Sequence, residues 1–184
     1  YVSSYASCRK CCTFEKENKF MKRIKLCLIS VLLVTFSGGC EPDDICAANT
    51  PTTPKLIIRF YNAANPTELK SVENLATQGV GNELIYTVAS TDSLSIPLQS
   101  QSTSTSFVLT KNFVDPVTSD TNADQINLSY DVAQVYISRA CGFRAQYELN
   151  EATIETDSDL WIQSIEISSS LIENETKAHV KIYH

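Results

Sequence analysis

The chain has 184 residues, a formal net charge of −6, seven cysteines and two histidines. Its 43% hydrophobic and 20% charged content fits one packed domain and excludes a disordered chain. Charge is uneven: residues 1–39 hold seven Lys and Arg against two Asp and Glu, whereas residues 40–184 hold eight against nineteen, a net of −11 that repels phosphate backbones and argues against nucleic-acid binding.

In chain order, residues 1–20 carry Cys8, Cys11 and Cys12 without apolar periodicity. The segment opens on Tyr1, and residues 15–20 suit A-rich codons, so it is expected to be an untranslated or spurious upstream extension. Cys8 and Cys11 have metal-ligand spacing but lack the second pair a zinc site needs. Met21-Lys22-Arg23-Ile24-Lys25 is a basic n-region, and Leu26 to Phe36 is an apolar run of 11 residues, long enough for a signal peptide and too short to span a bilayer. Small residues Ser37, Gly38 and Gly39 precede Cys40. The expected organisation is a signal peptide over 21–39, a tether over 40–54 and a folded domain over 55–184.

Ser37-Gly38-Gly39-Cys40 resembles the lipobox of bacterial lipoproteins, with Ser37 where the usual leucine stands. The resemblance implies that Cys40 is acylated and becomes the first mature residue, and that the protein sits in the outer membrane, on its periplasmic or its outer side. The alternative is an ordinary cleaved signal with Cys40 in a disulfide. Glu41, Asp43 and Asp44 resemble the surface-export signal of some Bacteroidetes lipoproteins; a solvated acidic linker is the plainer reading. With Cys40 acylated, Cys46 and Cys141 remain as a natural disulfide in an oxidising compartment, or as two free buried thiols.

From Leu56 onward the pattern is β. Leu56, Ile58 and Phe60 alternate with Ile57, Arg59 and Tyr61. Asn62 to Pro66 is turn chemistry, and Leu84 to Val88 is a β-branched and aromatic run. Leu94, Ile96 and Leu98 alternate, with Pro97 marking an edge. Ser100 to Ser106 reads as a loop. Phe107 and Leu109, then Ile126, Leu128 and Tyr130, give half-buried strands. Cys141 to Leu149 continues the alternation, with Gly142 at a turn or bulge. Trp161 to Ile167 and Ala178 to Ile182 give the last two strands. The one helix candidate, Glu68 to Gln78, is disfavoured by its Val, Thr and Gly content. The expected fold is all-β: an antiparallel sandwich, Ig-like in general architecture, of seven to nine strands.

Three stretches carry a wider resemblance: Cys40 to Cys46 leading into Thr50 to Tyr61, Val135 to Phe143, and His179 to Tyr183. Together they resemble an uncharacterised family of flavobacterial lipoproteins, domain of unknown function 6452. The resemblance implies a Bacteroidetes cell envelope and no known activity.

The chemistry is sparse. Hydrolytic triads need a histidine near a nucleophile; His179 alternates with inward Val180 and is expected to face solvent, His184 is the other histidine, and an enzyme using either is not expected. Gly79-Val80-Gly81 lacks the third glycine of a dinucleotide loop. Asp43 and Asp44 lack calcium-loop spacing, and Glu155 to Asp159, which could bind calcium only in a suitably folded loop, reads as a turn before Trp161, so no metal or cofactor is expected. Asn127-Leu128-Ser129 and Asn174-Glu175-Thr176 match a glycosylation acceptor expected to be silent here, whereas Asp92-Ser93-Leu94 resembles a Bacteroidetes O-glycosylation motif on Ser93. Trp161, Tyr61, Tyr86, Tyr136 and Tyr183 could line a sugar-binding face, although core packing is the plainer reading. Arg139 and Arg144 are expected to pair with carboxylates. The reading is a non-enzymatic envelope protein, held in the membrane through Cys40, that binds or scaffolds a protein or glycan partner. The alternative is a glycan- or substrate-binding accessory lipoprotein.

Overall fold

The computed structural model describes residues 21–30, 45–114 and 120–184, and the chain divides into two units, Tyr1–Ile45 and Cys46–His184. In the first unit residues 21–30 are helical with exposed side chains. No helix among the described residues is long and apolar enough to cross a membrane. Cys40, Glu41, Asp43 and Asp44 lie outside the described residues.

The second unit is built from strands: β1 (Leu56–Asn62), β2 (Asn65–Leu69), β3 (Val72–Gly79), β4 (Ile85–Thr91), β5 (Ser93–Ile96), β6 (Ser104–Lys111), β7 (Asn122–Ser138), β8 (Gly142–Ile154), β9 (Ser164–Ile167), β10 (Leu171–Ile172) and β11 (Val180–Tyr183). One sheet runs β2-β1-β11-β9, with β5 also paired to β1. The other runs β10-β8-β7-β6-β3-β4. Every described pairing is antiparallel except β1 with β11, which places Ile58 opposite Val180 and Phe60 opposite Ile182 in parallel register.

The sheets form a sandwich because their inward positions are apolar at period two. Leu56, Ile58, Phe60, Leu94, Ile96, Val180 and Ile182 come from the first sheet. Leu75, Leu109, Ile126, Leu128, Tyr130, Tyr147 and Leu149 come from the second. Each fully buried aliphatic side chain contributes roughly 1.5–3 kcal/mol of transfer free energy.

The expected sandwich is present, with eleven strands instead of seven to nine. Two of them are short: β2 is wholly exposed and β10 has two residues. Two expected boundaries are corrected. Ser104 to Ser106 belong to β6, because their hydroxyls fit a strand that pairs with Ser129 to Asn127 of β7. Trp161 and Ile162 are not in a strand: they fill the core from an irregular crossing between the sheets, held by the Asp124 carboxylate, whose Oδ2 accepts the Ile162 N–H at 2.7 Å.

Candidate functional site

β4 and β5 are edge strands of different sheets, and a groove of about 800 Å³ opens between them. Its walls come from β3, β4, β5, the start of β6 and the Pro97–Gln99 loop. The β4 side is left open to solvent, with Leu84 78% and Tyr86 62% exposed. Its described lining is apolar and hydroxylic, with Lys55 the one charged side chain. Thr77 contributes a buried Oγ1 that finds no hydrogen-bond partner among the described residues.

The loop wall is clamped from beneath by two core tyrosines. Tyr130 Oη donates to the Gln99 carbonyl at 3.0 Å and accepts the Gln99 N–H at 3.1 Å. Thr105 Oγ1 lies 2.5 Å from the same hydroxyl. Tyr147 Oη donates to the Leu98 carbonyl at 3.2 Å, and its ring meets that of Tyr130 edge-on at 5.3 Å. Burial raises the Tyr147 pKa, with the nearby Tyr130 adding to it. A buried polar network of this kind fixes the wall before any ligand arrives.

The predicted site residues scatter. Cys46 and Cys141 are bonded, S–S 2.06 Å and Cα–Cα 4.9 Å, which joins the tether to the β7–β8 turn. Thr53 extends this seam, its Oγ1 accepting the Ala145 N–H at 3.0 Å. Ser93 opens β5, half-buried, with its N–H on Thr91 Oγ1 at 3.1 Å. Asp92 faces Arg59 at 3.9 Å.

The five aromatics do not form one face. Trp161 is buried, its Nε1–H on the Leu109 carbonyl at 3.1 Å. Tyr61 and Tyr183 lie side by side at 5.7 Å, and Tyr183 Oη donates to Glu166 at 2.8 Å. Tyr86 stands in the groove, and Tyr136 pairs with Phe143 across the β7–β8 ribbon. Arg144 donates to the Glu173 carbonyl at 3.1 Å.

His179 corrects its expectation. It is fully buried, because it precedes β11 and turns its ring under β1, where Nδ1 accepts the Ile57 N–H at 3.0 Å. Burial lowers its pKa foremost. His184 packs edge-on against Trp161 at 5.5 Å, and burial lowers its pKa too. Among the described residues no group of three or more acidic, His or Cys side chains could hold a metal.

Sequence reasoning missed the groove and Asp124. The run Leu84 to Val88 reads the same whether covered or open, so nothing in it signals an exposed edge. Asp124 did carry a signal, since it shares the period-two phase of Ile126, Leu128 and Tyr130. Burial raises its pKa, opposed by the Ile162 N–H and reinforced by Asp157.

A family model described as a family of unknown function, DUF6452, matches residues 74–184. The chain belongs to that family. The DUF6452 match opens inside β3, so it takes in β4, β5, β6 and Cys141 and leaves β1, β2 and Cys46 before it. No curated protein and no solved structure matches the chain.

Proposed function

We propose that the mature chain is a lipid-anchored outer-membrane protein of a Bacteroidetes cell envelope that binds a partner and does no chemistry on it. The observation that carries this reading is the Cys46–Cys141 bridge, six residues after Cys40. Disulfides persist in oxidising compartments, and a bridge there supports an extracytoplasmic domain. The basic n-region, the short apolar run and Ser37-Gly38-Gly39-Cys40 supply the export and acylation signals. The groove between β4 and β5, with its clamped wall, supplies a place for a partner.

Intact mass of the protein purified from envelopes, with protease shaving of whole cells, tests the reading. The expected product starts at Cys40 and carries acyl chains, and loss to shaving would put the domain on the outer side. An unacylated chain with a different start would refute it. An extra glycan mass that disappears in Ser93→Ala would show modification of Ser93.

A glycan occupant is the second reading. Tyr86 favours it, since its exposed ring lines the groove beside the amides and hydroxyls of Asn82, Gln99, Thr91 and Ser95. Oligosaccharide binding by titration calorimetry is expected to weaken about tenfold in Tyr86→Ala, roughly 1.4 kcal/mol; equal binding by the variant would remove this reading.

A further inference from the structure

The β7–β8 hairpin is longer than the sheet it belongs to. β6 pairs with β7 only from Asn122 to Ser129, and β10 pairs with β8 only at Tyr147 and Glu148. From Val132 to Ser138 and from Gly142 to Gln146 the two strands pair only with each other among the described strands, as a ribbon reaching past the sandwich. Ala145 of this ribbon reaches the core and most of its residues are half-buried, but four side chains stand exposed: Ala133, Gln134, Tyr136 and Phe143. Tyr136 and Phe143 sit directly opposite, 57% and 66% exposed, with rings edge-on at 5.3 Å. An exposed aromatic pair beside the hairpin turn adds nothing to the sandwich core.

Two further features bear on what meets it. Residues 132–146 contain Arg139 and Arg144 and no acidic residue, although residues 40–184 carry a net of −11. The ribbon's turn is also covalently tied to the tether, through Cys141 and Cys46. Cys46 lies six positions after Cys40, so the chain allows at most about 20 Å between their α-carbons. Whatever surface holds Cys40 therefore lies within that distance of the tether end of the bridge.

We propose that the tip of the β7–β8 ribbon is a bilayer contact, with Tyr136 and Phe143 seated at the boundary of headgroups and acyl chains in the membrane that holds Cys40; this rests on the lipid-anchored reading. The Tyr136 ring, apolar with a polar hydroxyl, favours that boundary, and the apolar Phe143 ring beside it suits the acyl side. A stretch with two arginines and no carboxylate is not repelled by anionic headgroups, whereas the acidic remainder of the domain is.

The test uses the full acylated protein in vesicles of phosphatidylethanolamine and phosphatidylglycerol, with Phe143→Trp as reporter and Tyr86→Trp as the control in the groove. Both positions are exposed, so neither change disturbs the core, and buried Trp161 gives the same background in each. Flotation with the vesicles, loss of Phe143→Trp emission on brominating the upper acyl carbons, and an unchanged Tyr86→Trp signal would bear the proposal out. Flotation with no quenching at Phe143→Trp, or with equal quenching at both positions, would overturn the ribbon contact and leave the anchor standing; a protein contact for the tip would then be indicated. A chain that neither carries acyl mass nor floats would overturn both.

Discussion

The imidazole of His179 commits its Nδ1 lone pair to the Ile57 N–H, while the backbone N–H of His179 donates to the Ile57 carbonyl at 2.9 Å. Nδ1 is therefore unprotonated and the ring is neutral. A second proton would displace the Ile57 N–H and place a charge in the core, which is why burial lowers the pKa. The unfolded chain binds that proton near the ordinary value of 6.5, and the native chain resists it. Stability is then complete above about pH 6.5 and falls as pH drops below it toward the folded pKa, with a slope of up to about 1.4 kcal/mol per pH unit for each such group. His184 acts in the same direction. Asp124 acts oppositely: its raised pKa means the native state takes up the proton first, which adds stability on acidification through the window just above 3.8. Urea midpoints at pH 8, 6.5 and 5 should therefore be flat and then fall, and His179→Gln should be less stable at pH 8 and show a shallower fall. A wild-type midpoint independent of pH across that range would contradict the buried neutral ring.

At the scale of elements, the legible strands are those whose pleat runs unbroken. Leu56 to Tyr61 and Ile126 to Tyr130 alternate cleanly, and each is buried in the predicted phase. β3 is different. Asn74 takes a positive φ of 43°, and pairing with β4 lapses between Glu73 and Leu75. The inward phase jumps from Val72 to Leu75, so no period-two pattern runs through the segment. Trp161 was illegible for another reason: an apolar residue beside a strand looks like part of it, and the acceptors that hold this segment out of register, Asp124 for the Ile162 N–H and the Leu109 carbonyl for the Trp161 Nε1–H, are distant in sequence. The β7–β8 turn was legible through Gly142, which sits at φ 69° where a side chain is strained. A Cβ built there meets nothing within 4 Å, so the cost of Gly142→Ala is backbone strain alone. That cost is expected at about 1–2 kcal/mol. Urea unfolding of the variant measures it, and a change under about 0.3 kcal/mol would mean that the turn relaxes out of the left-handed region.

For the molecule as a whole, the bridge and the core act on different states. Cys46 and Cys141 enclose a separation of 95 residues that takes in β1 through β7, so the cross-link restrains most of the unfolded chain. The chain-entropy relation puts that restraint at roughly 4–5 kcal/mol. The native contacts beside the bridge include the Cys141 N–H on Ser138 Oγ at 3.1 Å, the Thr50 hydroxyl against Cys141 Sγ at 3.6 Å and the Ala145 N–H on Thr53. The sandwich core lies elsewhere and does not depend on the sulfurs for its packing. Removing both cysteines should therefore leave the native β-sheet signal intact and lower the unfolding free energy, mostly by freeing the unfolded state. A freer unfolded state also exposes more surface, so the denaturant slope should rise. Paired Cys46→Ser and Cys141→Ser in one chain, followed by circular dichroism through a urea titration, separates these effects. The expected result is a folded spectrum in buffer, an unfolding free energy lower by about 3–5 kcal/mol and a steeper slope. A loss under about 1 kcal/mol with an unchanged slope would show that the unfolded chain already keeps the tether and the ribbon together. A domain of this size has only about 5–15 kcal/mol of net stability, so the predicted loss is large enough to leave the reduced protein marginal. The same bridge would thus tie full stability to oxidising conditions.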